Sequence, residues 1–458
     1  MVLQTSGVIE ELVGLVDVGD PFGYPPADLV ALHVAAIDRR LQVQRHQMKV
    51  LDQRAQDAGV ERVTALDDVV PLLFSDASYK SYPSSFVEKG QWDRLGRWLG
   101  ALSTVPVTDI DLDGIEDIDD WISRMHAAGH YVMGSSGTSG KCSLLDHSAT
   151  DLDLMRRVVG GRFIFDVEPR RDRSVFILTP RRGAHAGLYG MNALAEAFGP
   201  PDERHFISEG PVTMVEANRL GALRRAMAEG RASASDLTDL KAFMAQRQRE
   251  TDREMGVFVD ALAECRDRPL LVFGTTPMHW KLVNELRARG IGDGEFHPET
   301  LVGGGGGSKG VELPPDQGQD VDRFWGLDQD PSRRMHHIYS STELGSAVFP
   351  MCAAGRYHAL PWVATLVLDE AGEQLLNPSP GVGGEVEGRM AFFNTLTDAR
   401  WGGLLSGDKV KVDFSRCRCG REGPTITEIV RYIDLPEGDD KLTCVGTVDT
   451  YVRGVMSE

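Results

Sequence analysis

Six cysteines in 458 residues are too few and too scattered for the disulfide framework of a secreted scaffold, so a reduced, cytoplasmic protein is expected. No run approaches the roughly 18 uninterrupted apolar residues that a membrane span requires. The start, MVLQTSGVIEELVG, lacks the basic opening and apolar stretch of a signal peptide. Positive charge is scarce too: 49 Lys and Arg stand against 68 Asp and Glu, a net charge of -19. Neither nucleic acid nor a membrane is therefore an expected partner. No internal repeat or long disordered linker is present. What remains is an ordinary globular composition, 41% hydrophobic and 26% charged, long enough for two or three domains.

Residues 27–58 place apolar side chains at three- and four-residue steps, with no Gly or Pro, and predict one or two helices. VFILTP (175–180) and LLVFGTT (270–276) are short apolar runs stopped by Pro, Gly or Thr, as buried strands are. A helical region spans 214–263 with a break near GRASAS (230–235), and ATLVLDEAGEQLL (364–376) reads as strand, turn, strand. Strands alternating with helices imply an α/β protein with mainly parallel sheet, giving way to β-rich structure after about residue 360. The acidic run DIDLDGIEDIDDW (109–121) lacks the spacing and closing Glu of a calcium loop, and reads as a solvated approach to a helix.

The most informative stretch is Tyr131-Val-Met-Gly134-Ser135-Ser136-Gly137-Thr138-Ser139-Gly140-Lys141. A strand-like entry opens into seven small residues and then a lysine. Glycines let backbone N–H groups converge on phosphate oxygens, and the hydroxyls of Ser135, Ser136, Thr138 and Ser139 add donors. A Walker A loop would need four residues between its glycines and a Ser or Thr after its lysine. Here residues 135–139 separate Gly134 from Gly140, and Cys142 follows Lys141, so that motif is excluded. A flexible Gly/Ser surface loop is the plainer alternative.

This loop resembles the phosphate-binding signature of the adenylate-forming superfamily of acyl-CoA synthetases and luciferase-like ligases. Ser143 stands where the common form has a second lysine, a departure shared with phenylacetate–CoA ligases and acyl-protein synthetases. Further motifs follow in the family's order. His185 lies in AHAGLYG (184–190), at a substrate-side segment, and LVGGGGGSKG (301–310) resembles a glycine segment whose backbone lies against adenine. The resemblance implies that role for Gly304, Gly305 and Gly306, with a mobile loop as the alternative. Tyr339-Ser340-Ser341-Thr342-Glu343 resembles Tyr-Gly-x-Thr-Glu, which implies an aromatic face for adenine, Ser340 beside it, a hydroxyl near the α-phosphate and a carboxylate for magnesium. Ser406-Gly407-Asp408 resembles Thr-Gly-Asp, whose carboxylate accepts the ribose hydroxyls.

Two tight pairs, Cys352 with His358 and Cys417 with Cys419, also match the acyl-protein synthetase and phenylacetate–CoA ligase branch. Cys₃His is a standard tetrahedral zinc set, and a closed four-ligand site implies a structural ion. Unrelated buried core residues are the alternative. Gly446–Gly454 resembles the family's hinge, with Thr447 in place of arginine and Val455 in place of an acyl-accepting cysteine. A mobile C-terminal domain is thus expected to be absent or vestigial. The expected organisation is an α/β adenylation core over 1–360, a β-rich subdomain completing the nucleotide site over 361–445, and a hinge remnant over 446–458.

The implied function is ATP-dependent, magnesium-assisted activation of a small carboxylic acid as an acyl-adenylate. The acyl group would then pass to a carrier or acyl-accepting protein, CoA or an amine. Lys141, Thr342, Glu343 and His185 are the expected catalytic residues. Adenylation of another oxyanion such as nitrite, and non-catalytic nucleotide binding, are the alternatives.

Overall fold

The computed structural model describes residues 7–135, 141–228, 230–307, 311–330 and 333–435. The phosphate-loop residues Ser136, Gly137, Thr138, Ser139 and Gly140, and the expected hinge at 446–458, lie outside the described residues. The chain divides into two compact units: one holds residues 1–135, 143–157 and 341–458, the other residues 136–142 and 158–340.

The second unit is built on five parallel strands in the order Arg204–Val212, Ser174–Gly183, Leu270–Gly274, Leu301–Gly305, His336–Tyr339. All five residues of Leu270–Gly274 are buried, which explains why this stretch reads as an unbroken apolar run rather than an alternating one. Phe176, Val272 and Val302 from three strands pack with Phe258 and Leu262 of helix Ala234–Glu264 and Leu282 of helix Thr276–Ala288. The helical region expected over 214–263 is broken near its predicted point, into Met214–Ala228 and Ala234–Glu264.

The first unit carries a mainly antiparallel sheet in the order Tyr357–His358, Thr425–Arg431, Gly403–Asp413, Glu385–Asn394, Val363–Leu368. The β-rich structure expected after residue 360 is this sheet. The periodic segment 27–58 forms two helices, Pro26–Gln44 and Lys49–Asp57. Leu32, His33, Ala36 and Ile37 are the buried face of the first, and His33 Nε2 donates to the Pro361 carbonyl at 2.6 Å. Asp117, in the acidic run, caps helix Ile118–Ala127 by accepting from the N–H groups of Asp119 and Asp120.

One local expectation needs correction. Only the first half of 364–376 forms a strand, Val363–Leu368; the second half makes a single bridge, Leu368 to Leu375. The cause is Asn377. Its Oδ1 accepts from Val367 N–H and its Nδ2 donates to the Thr365 carbonyl, each at 2.8 Å, so a side-chain amide occupies ladder positions. No described helix is long and apolar enough to cross a membrane.

Buried histidines give the fold a definite acid sensitivity. Burial holds His33, His279 and His336 neutral, with pKa values lowered to about 4. Unfolded histidine titrates near about 6.5, so between about pH 6.5 and 4 the unfolded state binds more protons and stability falls as pH drops. Each such histidine contributes up to about 3 kcal/mol to that loss at about 1.4 kcal/mol per unit. His130 opposes the trend: its hydrogen bond to Asp146 raises its pKa, adding stability at low pH that is lost as pH rises. Urea denaturation should therefore show a lower midpoint at about pH 5 than at about pH 7, with His279→Gln flattening the difference. Equal midpoints would contradict the burial argument.

Candidate nucleotide and metal sites

The neck of the expected phosphate loop is closed from both sides. Met133 and Gly134 pair antiparallel with Leu145 and Leu144. Beyond them Ser135 N–H donates to the Ser143 carbonyl at 3.2 Å, and Ser143 N–H donates to Ser135 Oγ at 2.9 Å. Ser135 is thus engaged through both its backbone and its hydroxyl at the point where the loop leaves the hairpin. Lys141 sits in the last described stretch of the loop, half-buried.

Ser143 is fully buried, and its hydroxyl donates to Glu343 Oε1 at 3.0 Å. Glu343 lies in the short turn Thr342–Leu344, which ends at Gly345 with φ 60° and ψ -111°, a conformation open essentially to glycine. The Arg400 guanidinium, 3% exposed, holds this turn by donating from Nη2 to the Glu343 carbonyl at 2.6 Å. It also lies over the Tyr79 ring, 5.6 Å from its centroid. Ser143 and Arg400 were not among the expected site residues. In the sequence Ser143 stands out only as a departure from a lysine, and nothing in Thr397-Asp-Ala-Arg400-Trp marks a buried guanidinium. Asp408 lies in strand Gly403–Asp413, with its N–H donating to Ser406 Oγ at 3.1 Å.

In the second unit, Gly303, Gly304 and Gly305 are strand residues rather than a loop. A Cβ on Gly304 would stand 2.9 Å from the Gly274 carbonyl, and one on Gly305 would stand 2.8 Å from Ile338. Packing between strands therefore demands part of this glycine run, and Gly306 continues it at φ 76°. His279 Nε2 donates to the Gly303 carbonyl at 2.9 Å, which steadies the strand end. Tyr339 closes strand His336–Tyr339, followed by Ser340. His185 is the N-cap of helix Ala186–Phe198, its Nδ1 accepting from Gly187 N–H at 3.0 Å.

The four expected metal ligands converge within the first unit. The donor atoms of Cys352, His358, Cys417 and Cys419 all lie within 4.8 Å of one another. Cys352 Sγ is 3.8 Å from Cys417 Sγ, and Cys419 Sγ is 3.4 Å from His358 Nε2. Zn–S bonds of about 2.3 Å at a tetrahedral angle require sulfurs about 3.8 Å apart, so the set suits a tetrahedral ion. Two matching turns present the thiols. Cys352 N–H donates to the Arg356 carbonyl while Gly355 N–H returns to Cys352; Cys417 N–H donates to Arg421 while Gly420 N–H returns to Cys417. Gly355 and Gly420 have φ of 72° and 93°. The repeated Cys-x-x-Gly was the sequence signal for these turns, beyond the ligand pairs themselves. Burial pushes the Cys352 thiol up, but hydrogen bonds from His358 and backbone N–H groups outweigh it and bring the pKa to about 6. Burial and the neighbouring sulfurs push Cys419 to about 12. A thiolate at Cys352 thus disfavours a second at Cys419, a repulsion that a bound cation would relieve. Phe22 meets the His358 ring edge-on at 5.5 Å.

No protein-family model matches this sequence, and no curated protein matches it. Solved structures do share its fold, which is that of adenylate-forming ligases. A 2-hydroxyisobutyryl-CoA ligase in complex with 2-HIB-AMP and CoA, in its thioesterification state, aligns with a TM-score of 0.56 at 13% identity, over 90% of this chain and 69% of that one. The open conformation of that ligase aligns at 0.54 and 13%, over 91% and 78%. Its postadenylation state with 2-HIB-AMP aligns at 0.53 and 13%, over 90% and 69%. At such identity the likeness is one of fold.

The glycine strand yields a direct check. A Cβ on Gly303 would stand 2.7 Å from the Phe273 ring and 2.8 Å from that of Phe165. Gly303→Ala should lower unfolding free energy by about 1–3 kcal/mol, the usual cost of overpacking a core. Urea denaturation reads this, and unchanged stability would mean the strand has slack.

Proposed function

We propose that this protein is an ATP-dependent, AMP-forming ligase that activates a small carboxylic acid as its acyl-adenylate, releases pyrophosphate, and passes the acyl group to a thiol or amine. The observation that carries this reading is the 3.0 Å hydrogen bond from Ser143, at the end of the phosphate loop, to Glu343 in the Ser-Thr-Glu turn. It joins two segments that separate chemical arguments assign to phosphate and to magnesium. The three ligase structures that share the fold hold 2-HIB-AMP, two of them together with CoA, which supports the same reaction class.

In this reading the loop from Ser135 through Ser136, Gly137, Thr138, Ser139 and Gly140 cradles the phosphates, and Lys141 neutralises charge as pyrophosphate departs. Gly304, Gly305, Gly306, Tyr339 and Ser340 receive adenine, and Asp408 the ribose hydroxyls. Thr342 and Glu343 hold the α-phosphate end and Mg²⁺, a hard cation suited to a carboxylate and a hydroxyl, which would draw charge from the phosphate oxygens. His185 is assigned to the substrate side. Catalysis is positioning and electrostatics: the acid's carboxylate oxygen attacks the α-phosphorus and pyrophosphate leaves. The Cys352, His358, Cys417 and Cys419 set is assigned to structural zinc.

Pyrophosphate release screened over aliphatic and aromatic acids should find a substrate, and mass analysis should find its adenylate. Glu343→Gln should reduce that release about 100-fold or more, since a neutral amide is a poorer ligand for magnesium. ATP bound without any acid-dependent pyrophosphate release would leave a nucleotide-binding protein, and a nitrite adenylate would change the substrate class.

The zinc assignment predicts about one zinc per chain by elemental analysis, retained through dialysis. Cys417→Ser should lower both zinc content and melting temperature, while the Michaelis constant for ATP in the folded fraction stays nearly unchanged. A fully stable, metal-free Cys417→Ser protein would remove the structural role.

A further inference from the structure

Helix Pro26–Gln44 has two apolar faces. Leu32, Ala36 and Ile37 lie in the core of the first unit. Ala27, Val30, Ala31 and Val34, at three- and four-residue steps, form a second stripe and line a cavity of about 700 Å³. A surface helix ordinarily has one apolar stripe, facing its core, and a polar opposite face. The far wall comes from Leu360, Val363 and Leu375, and the volume is of the size that holds small organic ligands.

Among the polar side chains of the lining, which also include Tyr24, Thr64, Asn377 and Ser379, the two most buried are Thr365 and His33. Thr365, 5% exposed, has an Oγ1 with no hydrogen-bond partner in the protein, although buried hydroxyls are normally satisfied. His33 donates from Nε2 to the Pro361 carbonyl, so its other nitrogen, on a ring kept neutral by burial, is an acceptor. The charged groups of the lining are largely compensated: Asp38 pairs with Arg62 at 2.5 Å, and Glu422 with Arg416 at 3.1 Å. Asp67 is left over, exposed and negative, so the lining discourages an anion. None of the residues assigned to nucleotide or metal lines this cavity.

We infer that the cavity is a second small-molecule site, taking an uncharged, mainly apolar ligand whose hydroxyl pairs with Thr365. The inference does not depend on the proposed ligase activity. Isothermal titration of the full chain with 1-octanol should show saturable one-site binding with a negative heat-capacity change. Octanoate, of the same chain length but charged, should bind about ten-fold or more weakly, because its charge would be desolvated without a partner. Thr365→Val keeps the shape and should weaken 1-octanol by about three- to ten-fold, the loss of one neutral hydrogen bond. Ala31→Trp, at an exposed helical position facing the cavity, should abolish binding while circular dichroism shows the fold intact. Absence of saturable octanol binding to the wild type would overturn the inference. So would undiminished binding in folded Ala31→Trp, and octanoate binding as tightly as octanol would overturn the ligand class. Should Ala31→Trp fail to fold, the Thr365→Val titration decides, and unchanged affinity there counts against the site.

Discussion

The hydrogen bond between the Ser143 hydroxyl and Glu343 is made from a donor that water cannot reach, since Ser143 has no exposure at all, to a carboxylate that is only half-buried. Without that acceptor the buried Ser143 hydroxyl would be left unsatisfied, at a cost of about 1–3 kcal/mol. The bond forms only because both ends are already held. The Ser135–Ser143 pair closes the loop's neck, and Arg400 clamps the Glu343 carbonyl. Gly345 then lets the chain turn away in a conformation that a side chain would resist. The position of the Glu343 carboxylate is thus the outcome of several local constraints, none sufficient alone.

The thiol cluster follows a similar logic with a different force. Each Cys-x-x-Gly turn is a local structure, closed by its own backbone bonds and its positive-φ glycine. The turns face one another because the strands after them pair, Tyr357 with Ile426 and His358 with Thr425. Once together, the sulfurs oppose each other's ionisation, which shows in the divergent tendencies of Cys352 and Cys419. Such a cluster is costly as bare thiolates and stable around a cation.

The second stripe of helix Pro26–Gln44 illustrates a pattern that binary reading overlooks. Ala27, Val30, Ala31 and Val34 satisfy the helical period as well as the core positions do, so they strengthened the helix assignment without revealing a second face. Only burial separates the two sets. The Asn377 amide shows the converse, where a segment with strand-like residues forms only a bridge because one side chain has taken the ladder's hydrogen bonds.

Elements with strong periodicity were legible because periodicity is a local property: the helices of 27–58, the break near 230–235, and a strand at 270–274 ended by Gly274 follow from spacing and breakers, whereas the strand expected to stop at Pro180 runs through it to Gly183. Legible too were the α/β class and the residue types suited to phosphate, a hard cation and a tetrahedral metal, since those chemistries need particular side chains at short separations. The convergence of Cys352 and His358 with Cys417 and Cys419 could be anticipated from donor chemistry, but their distances could not. Tertiary structure alone decided that Ser143 meets Glu343, that Arg400 is buried behind the turn, that Gly303 to Gly305 form a strand, and that Thr365 faces a cavity. Each of these depends on segments far apart in the chain coming to within a few ångströms, and no local spacing encodes which distant backbone or side chain arrives there.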